Sequence, residues 1–168
     1  MAFVFFSVVS LLTISANAQT WVPWGIEHGG TLPPNSFIGG SETVLNSNGR
    51  VRQLYICQIE DGLKGLHPGK VVEGYCNIGY DSKEIKYGAY RVLTDVDPRK
   101  VRWVPASGGN VPAGAFEGGR EPKRVLYICR GFYQNGTHPG KVVDNACNIP
   151  WGGGEPHLPN YQVLVIDR

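Results

Sequence analysis

Two copies of one hexapeptide carry the residues of this chain that are best suited to holding a ligand. His-Pro-Gly-Lys-Val-Val spans residues 67–72 and recurs at 138–143, at an offset of 71. Each copy offers a lysine ammonium, which only donates hydrogen bonds. An isolated lysine after Pro-Gly is typical of a solvated turn, but its exact repetition favours a binding role for Lys70 and Lys141, which we expect to be exposed on loops. The histidines that precede proline, His67 and His138, are interpreted as polar groups of turns.

Four cysteines occupy matching places in the two copies. Leu-Tyr-Ile-Cys ends at Cys57 and again at Cys129, and Cys-Asn-Ile begins at Cys76 and again at Cys147. The spacings of 19 and 18 residues lack the close Cys-x-x-Cys pair of structural zinc sites. The repeat favours the symmetric disulfides Cys57–Cys76 and Cys129–Cys147, and pairing between the copies is the alternative.

The self-similarity extends over nearly the whole chain. Trp-Val-Pro at 21–23 recurs at 103–105, and Gly-Gly at 39–40 recurs at 118–119. We therefore expect two repeats, at about 21–95 and 103–167, within a single domain of residues 19–168. The link at 95–100 is too short for a flexible linker between independent domains, so the copies should pack together or exchange strands.

The residue pattern predicts an all-β fold. Residues 51–59 and 124–133 alternate in polarity, and residues 90–94 and 161–167 are rich in β-branched and aromatic side chains. Asp61-Gly62 and Asn135-Gly136 lie between these runs and predict hairpin turns. Glycine (23 residues) and proline (12) are abundant, which suits short strands joined by tight turns.

The beginning of the chain predicts secretion. Residues 1–18 contain an apolar run and end in Ala16-Asn-Ala18, as a secretory signal peptide does. The net charge of +2 and the absence of a basic run exclude nucleic acid as the expected partner, and no later stretch is long enough for membrane insertion. In a secreted chain, Asn135-Gly-Thr137 is an N-glycosylation sequon.

Together these motifs resemble the DM9 repeat family. The resemblance lies in Trp-Val-Pro, the Gly-Gly loop, Tyr-Ile-Cys, Pro-Gly-Lys and Cys-Asn-Ile-Pro-Trp-Gly-Gly-Gly-Glu, and it covers residues 21–167. It implies two intertwined, pseudo-twofold-related repeats in one β-rich globule, a homodimer, and a mannose site in each repeat. The family includes mannose-binding lectins, in which an acidic side chain and a lysine hold the sugar hydroxyls.

Carried over by position, the site residues implied by this resemblance are Lys70 with Glu42 and Lys141 with Glu121. The lectin pattern has aspartate where this chain has glutamate. The first repeat departs further, because it carries a longer Gly-Gly to Cys segment and replaces the Trp-Gly-Gly-Gly loop. The second site is therefore expected to bind better. Glu84 and Glu155 are candidates for binding the ligand or for accepting hydrogen bonds from loop amides.

The expected function is that of a secreted, extracellular, non-enzymatic recognition protein of innate immunity that binds mannose-type glycans, for example on microbial surfaces. No cofactor or metal is expected. The alternative is a secreted structural or protein-interaction module without sugar binding. An enzyme, such as a glycoside hydrolase with two carboxylates, is disfavoured because the chain has no Gly-x-Ser-x-Gly or His-Glu-x-x-His motif.

Overall fold

The computed structural model describes residues 24–28, 31–62 and 64–167, and it confirms the predicted all-β fold. The described residues contain no α-helix, only one 3-10 turn at Pro98–Lys100. The strands are β1 (Trp24–His28), β2 (Ile38–Thr43), β3 (Val51–Asp61), β4 (Gly65–Val72), β5 (Tyr75–Tyr80), β6 (Lys83–Tyr87), β7 (Ala89–Leu93), β8 (Val101–Ser107), β9 (Glu117–Glu121), β10 (Arg124–Tyr133), β11 (Gly136–Val143), β12 (Ala146–Asn148), β13 (His157–Leu158) and β14 (Asn160–Ile166).

The two repeats form the same set of antiparallel pairs. In the first, β3 pairs with β2, β4 and β7, and β7 pairs with β1. In the second, β10 pairs with β9, β11 and β14, and β14 pairs with β8. Matching pairings in the same order give the protein its pseudo-twofold symmetry.

Strands of the two repeats also pair with each other, so the repeats are intertwined as expected. β2 of the first repeat pairs with β11 of the second, and β4 of the first pairs with β9 of the second. With the pairing of β3 and β4, these contacts close a ring in the order β3, β2, β11, β10, β9, β4. Three strands of each repeat therefore form one closed ring of hydrogen-bonded strands.

The Pro-Gly-Lys segments lie inside strands β4 and β11, so the expectation that they form turns is wrong. A proline within a sheet removes one ladder hydrogen bond. Here the neighbouring strand supplies Gly-Gly: a Cβ atom on Gly118 or Gly119 would crowd the ring of Pro68, and Gly39 and Gly40 have the same relation to Pro139. The glycines of one repeat thus make room for the proline of the other.

The same glycines allow the backbones of the two repeats to approach closely. A Cβ atom on Gly40 would collide with the carbonyl oxygen of Thr137, and one on Gly119 would collide with the carbonyl oxygen of Leu66. Side chains are therefore excluded at both crossings, which explains why Gly-Gly is present in each repeat.

Three apolar clusters fill the interior. One lies within each repeat and contains its disulfide, Cys57–Cys76 in the first repeat and Cys129–Cys147 in the second. These are the symmetric pairs that the repeat favours. The third cluster combines Ile56 and Leu93 of the first repeat with Phe116, Ile128 and Leu164 of the second, so part of the core is shared by both copies.

The strand register corrects one sequence alignment. Trp24 pairs with Leu93 in the same way that Trp103 pairs with Leu164, so Trp24 is the structural counterpart of Trp103. The match of residues 21–23 with 103–105 is therefore displaced by three residues. The predicted signal peptide lies outside the described residues, as does Trp21. Among the described residues, no helix is long and apolar enough to cross a membrane.

Candidate functional site

Both candidate lysines are buried and reach into the opposite repeat. Lys70 is 2% exposed and Lys141 is 3% exposed, which contradicts the expectation of solvated loop residues. Lys70 Nζ lies 3.0 Å from Nδ1 of His138, and Lys141 Nζ lies 3.3 Å from Nδ1 of His67. The lysine of each hexapeptide thus contacts the histidine of the other, and two equivalent clusters result.

The hydrogen bonds of the histidines define their protonation. Nε2 of His67 donates to the carbonyl of Lys64 at 3.0 Å, and Nε2 of His138 donates to the carbonyl of Tyr133 at 3.1 Å. Nδ1 of each neutral ring can then accept from a lysine ammonium. Burial, reinforced by Lys141, lowers the pKa of His67, and burial with Lys70 lowers the pKa of His138 to about 4. Both rings are therefore neutral acceptors at pH 7.

The first cluster consists of Glu42, Arg52, Lys70 and His138. Arg52 Nε donates to Oε1 of the buried Glu42 at 2.6 Å, and Oε2 of Glu42 lies 3.7 Å from Nδ1 of His138. Arg52 also pairs with the exposed Glu73 at 3.3 Å. The chain of contacts therefore runs from solvent through Arg52 and Glu42 to the buried His138–Lys70 pair.

The second cluster consists of Glu121, Arg124, Lys141, His67 and Glu155. Arg124 pairs with Glu121 at 2.7 Å and with the exposed Asp144 at 2.9 Å, as Arg52 pairs with Glu42 and Glu73. Lys141 Nζ lies 3.5 Å from Oε1 of Glu155. The structure thus brings the predicted lysine and acidic residue of each repeat into one cluster. The described residues show no ion pair between Lys70 and Glu42 or between Lys141 and Glu121, however.

The two glutamates that follow the loops form a reciprocal bridge. Oε2 of Glu84 accepts from the amide of Gly153 at 2.9 Å, and Oε2 of Glu155 accepts from the amide of Ser82 at 3.1 Å. Each carboxylate therefore satisfies a backbone donor in the turn of the other repeat. This is the amide-binding role considered for both residues, and Glu155 adds its contact with Lys141.

The two lysines differ in how fully their donors are used. Lys141 donates to the carbonyl of Gly79 and to His67, and it pairs with Glu155. For Lys70, His138 is the one hydrogen-bond partner among the described residues. Burial lowers the pKa of both lysines, that of Lys70 to about 8. Since an ammonium has three donors, Lys70 retains capacity for a further acceptor.

The sequon residue Asn135 and its neighbour Trp151 are held together. Trp151 Nε1 donates to Oδ1 of Asn135 at 3.2 Å, and Asn135 Nδ2 donates to the carbonyl of Thr43. The ring of Trp151 also packs edge-on against Tyr133. Glycosylation of Asn135 remains a prediction, and it would require this side-chain amide to leave Thr43.

Sequence reasoning missed four members of the clusters, namely Arg52, Arg124, His67 and His138. The histidines were assigned to turns, although their recurrence within the hexapeptide could have indicated a structural partner. The arginines recur two residues before Leu54 and Leu126, the same kind of signal. What the sequence could not give is the exchange of lysine and histidine between repeats, because that depends on which strands cross.

Two further features lie apart from the clusters. Within the described residues, no group of three His, Cys, Asp or Glu side chains could hold a metal ion. An open depression of about 540 Å³ contains none of the six candidate binding residues; it is lined by Asn35, Ser36, Phe37, Ile38, Asp95, Val96, Asp97 and Pro98. The polar clusters therefore remain the best candidates for a functional site.

Comparison with known proteins identifies the family. The family model described as DM9 repeat matches residues 46–158 and 123–168. No curated protein matches the chain. The matched residues include both hexapeptides, all four cysteines, and both arginine–lysine–histidine clusters described above. The chain therefore belongs to the DM9 repeat family.

Proposed function

We propose that this protein is a secreted lectin that binds mannose-type glycans, such as those of microbial surfaces, through its two Lys–His–Glu clusters. The observation that carries the proposal is the duplicated cluster, in which two pseudo-twofold-related sites place the same residue types together. Membership of the DM9 repeat family supports a lectin-like or carbohydrate-binding module rather than an enzyme.

The residue types suit a neutral sugar. A hexose offers adjacent hydroxyl groups, each of which donates and accepts a hydrogen bond. A carboxylate accepts and an ammonium donates, so the two together can hold neighbouring hydroxyls in complementary directions. The neutral histidines hold the ammonium groups in place, because Nδ1 of each ring accepts from a lysine. Such a set recognises hydroxyl geometry and requires no charge on the ligand.

Access to either cluster passes its arginine. The side chain of Arg52 is 31% exposed and that of Arg124 is 43% exposed, whereas the lysines behind them are almost completely buried. A sugar that reaches the lysine therefore has to displace an arginine from its glutamate. Because the displacement leaves a largely buried glutamate without its arginine, it costs free energy and keeps single-site affinity weak, on the order of millimolar.

The first cluster is the better candidate of the two. Lys70 has spare donors, whereas the donors of Lys141 are engaged by Gly79, His67 and Glu155. A sugar at Lys141 would have to replace existing contacts, while a sugar at Lys70 adds to them. This reverses the preference for the second repeat that follows from its closer match to the lectin pattern. Two sites, and a homodimer, would raise avidity on a glycan surface.

Mannose titration tests the proposal. The variants are K70M and K141M, which keep the aliphatic stem but remove the ammonium, and the control is K86M, because Lys86 is exposed. Calorimetry should show about ten- to a hundredfold weaker binding for K70M, the loss expected for one or more charge-assisted hydrogen bonds. K141M should lose less, and K86M should match the wild type. Wild-type affinity in folded K70M and K141M would refute both sites.

A structural or protein-interaction role without sugar binding is the second candidate. It is favoured by the near-complete burial of both lysines, each of which contacts the opposite repeat. A glycan array on the wild type distinguishes the two functions. If no mannose-type glycan binds while K70M and K141M lower the melting temperature, the clusters serve only to hold the repeats together.

A further inference from the structure

A second group of polar and aromatic side chains lies outside the lysine clusters, around Arg130 on β10. Arg130 Nε donates to Oε1 of Gln162 at 2.8 Å, and Nη1 donates to the carbonyl of Gly39 at 3.5 Å. The guanidinium carbon lies 4.2 Å from the ring centroid of Trp103, as in a cation–π contact. Arg130, Trp103 and Gln162 are all partly exposed, so solvent reaches the group.

Arg130 is the one partly buried arginine of the described residues that has no acidic partner. No ion pair joins it to a carboxylate among the described residues, whereas six arginines do form one: Arg52, Arg91, Arg99, Arg102, Arg120 and Arg124. Arg50 also lacks an ion pair but is fully exposed. Burial lowers the pKa of the Arg130 guanidinium, with no carboxylate to oppose the shift. Its positive charge is therefore held in place and left uncompensated.

The first repeat shows that this charge is not needed for the fold. At the position equivalent to Arg130, Gln58 donates from Nε2 to the carbonyl of Gly118 at 2.6 Å. That bond corresponds to the contact of Arg130 with Gly39. A neutral amide thus makes the same connection between repeats. The charge and the remaining donors of Arg130 are consequently available for another purpose.

We propose that Arg130, supported by Trp103 and Gln162, binds an oxyanion, namely the carboxylate or sulfate group of an acidic ligand. A guanidinium has five N–H donors, and two are used by Gln162 and Gly39, which leaves three. Its planar fork matches the two oxygens of a carboxylate or sulfate, and stacking on Trp103 fixes its orientation. The site is separate from the lysine clusters and does not depend on the proposed binding of mannose.

Titration of the full chain with sodium glucuronate tests the assignment, with glucose as the neutral control and sodium sulfate as the second oxyanion. The readout is the NMR signal of the Arg130 Nε–H group, assigned by its loss in R130Q. We expect glucuronate to shift this signal at millimolar concentrations, and glucose not to shift it. A response to sulfate as well would identify a general oxyanion site, and a response to glucuronate alone a carboxylate site.

Two variants make the test specific. R130Q copies the first repeat and should remain folded, but calorimetry should show at least about tenfold weaker glucuronate binding. R99Q removes an exposed arginine paired with Asp97 and should bind as the wild type does. R130K keeps the charge without the planar fork and should bind with intermediate affinity. The proposal is overturned if glucuronate leaves the Arg130 signal unchanged, or if R130Q and R130K bind as tightly as R99Q.

Discussion

The two lysine clusters have the same backbone framework but different electrostatic surroundings. In both, a buried lysine contacts the histidine of the other repeat, and an arginine joins the nearby glutamate to an exposed carboxylate. Only Lys141 has a carboxylate within ion-pair distance, Glu155 at 3.5 Å. Its counterpart Lys70 has no such partner among the described residues. Duplication has therefore produced one cluster whose lysine has a carboxylate partner and one whose lysine has none among the described residues.

The surroundings of the two clusters also differ at one pair of equivalent positions. Glu155 packs directly on Gly79, where a Cβ atom would lie 2.6 Å from its Oε1 atom. The residue equivalent to Gly79 in the second repeat is Pro150, which is buried. Glycine at position 79 leaves room for the Glu155 side chain, whereas the second repeat carries a proline ring at the equivalent position. The strands β4 and β11 fix the positions of the two lysines, and the segments beside them determine whether a carboxylate lies nearby.

The two close backbone crossings, at Gly40 and Gly119, should contribute equally to stability, unlike the two clusters. We expect Gly40→Ala and Gly119→Ala each to destabilise the protein by roughly 4 kcal/mol or more, or to prevent folding, because each new methyl group meets a backbone carbonyl of the other repeat. Gly62→Ala is the control, since open space surrounds that position and its effect should be below about 0.5 kcal/mol. Urea unfolding measures all three. If alanine is tolerated at only one of the two positions, the two crossings contribute unequally to stability despite their similar backbone geometry.

Substituting the two lysines should show that the clusters differ in their contribution to stability. K141M leaves Glu155 and His67 buried without their cationic partner, so we expect a loss of about 3 kcal/mol, the scale of a broken buried ion pair. K70M leaves the acceptor of His138 unpaired but also removes an ammonium whose pKa the fold lowers, so its net effect should be at most about 1 kcal/mol. Equilibrium unfolding in urea provides the comparison. Equal losses would mean that the contact of Lys141 with Glu155 contributes nothing to stability.

The pH dependence of the free energy of unfolding should report the lowered pKa of Lys70. The pKa of Lys70 is lowered to about 8 in the folded protein, against 10.5 for an ordinary lysine. Between these values the unfolded chain binds a proton that the folded chain has lost, so the free energy of unfolding rises with pH. From pH 8 to 9.5 we expect a gain of up to about 2 kcal/mol by urea unfolding.

K70M is the control for this gain. With residue 70 unable to titrate, the rise between pH 8 and 9.5 should shrink to what Lys141 contributes, since the pKa of Lys141 is lowered as well. An undiminished rise in K70M would assign the effect to other groups and would contradict a strongly lowered pKa at Lys70.

Much of the fold followed from the sequence because the repeat makes local signals appear twice. Alternating strands such as β10, the hairpin after Tyr133 and both disulfides were predictable from residues close in the chain. The strand character of Pro-Gly-Lys was not, since it depends on Gly-Gly in a neighbouring strand of the other repeat. Burial of Lys70 was missed for the same reason.

The lysines and glutamates of the candidate site were predictable from the sequence, but its arginines, its histidines and its arrangement were not. Lysine, glutamate and their duplication could be found by position within the DM9 pattern. The exchange of His67 and His138 between clusters follows from the pairing of β2 with β11 and of β4 with β9, which no local signal specifies. Likewise, the difference between Gly79 and Pro150 is visible in the sequence, but the packing of Glu155 on Gly79 is not, because it depends on how the two repeats meet.

The smallest expected difference lies at the mouths of the clusters, where Glu73 and Asp144 pair with Arg52 and Arg124. Glu73 is 76% exposed and Asp144 is 80% exposed, and such pairs lose much of their attraction to solvent screening. E73Q and D144N should therefore each change the free energy of unfolding by less than about 0.5 kcal/mol, and by the same amount. Their effect on sugar affinity should be similarly small: each arginine loses one of two partners and is displaced more easily, so mannose binding should tighten by roughly twofold. Urea unfolding and mannose titration in parallel decide this. Weaker binding in both variants would mean that the exposed carboxylates contact the sugar themselves, and the arginines would then not be the barrier to the buried lysines.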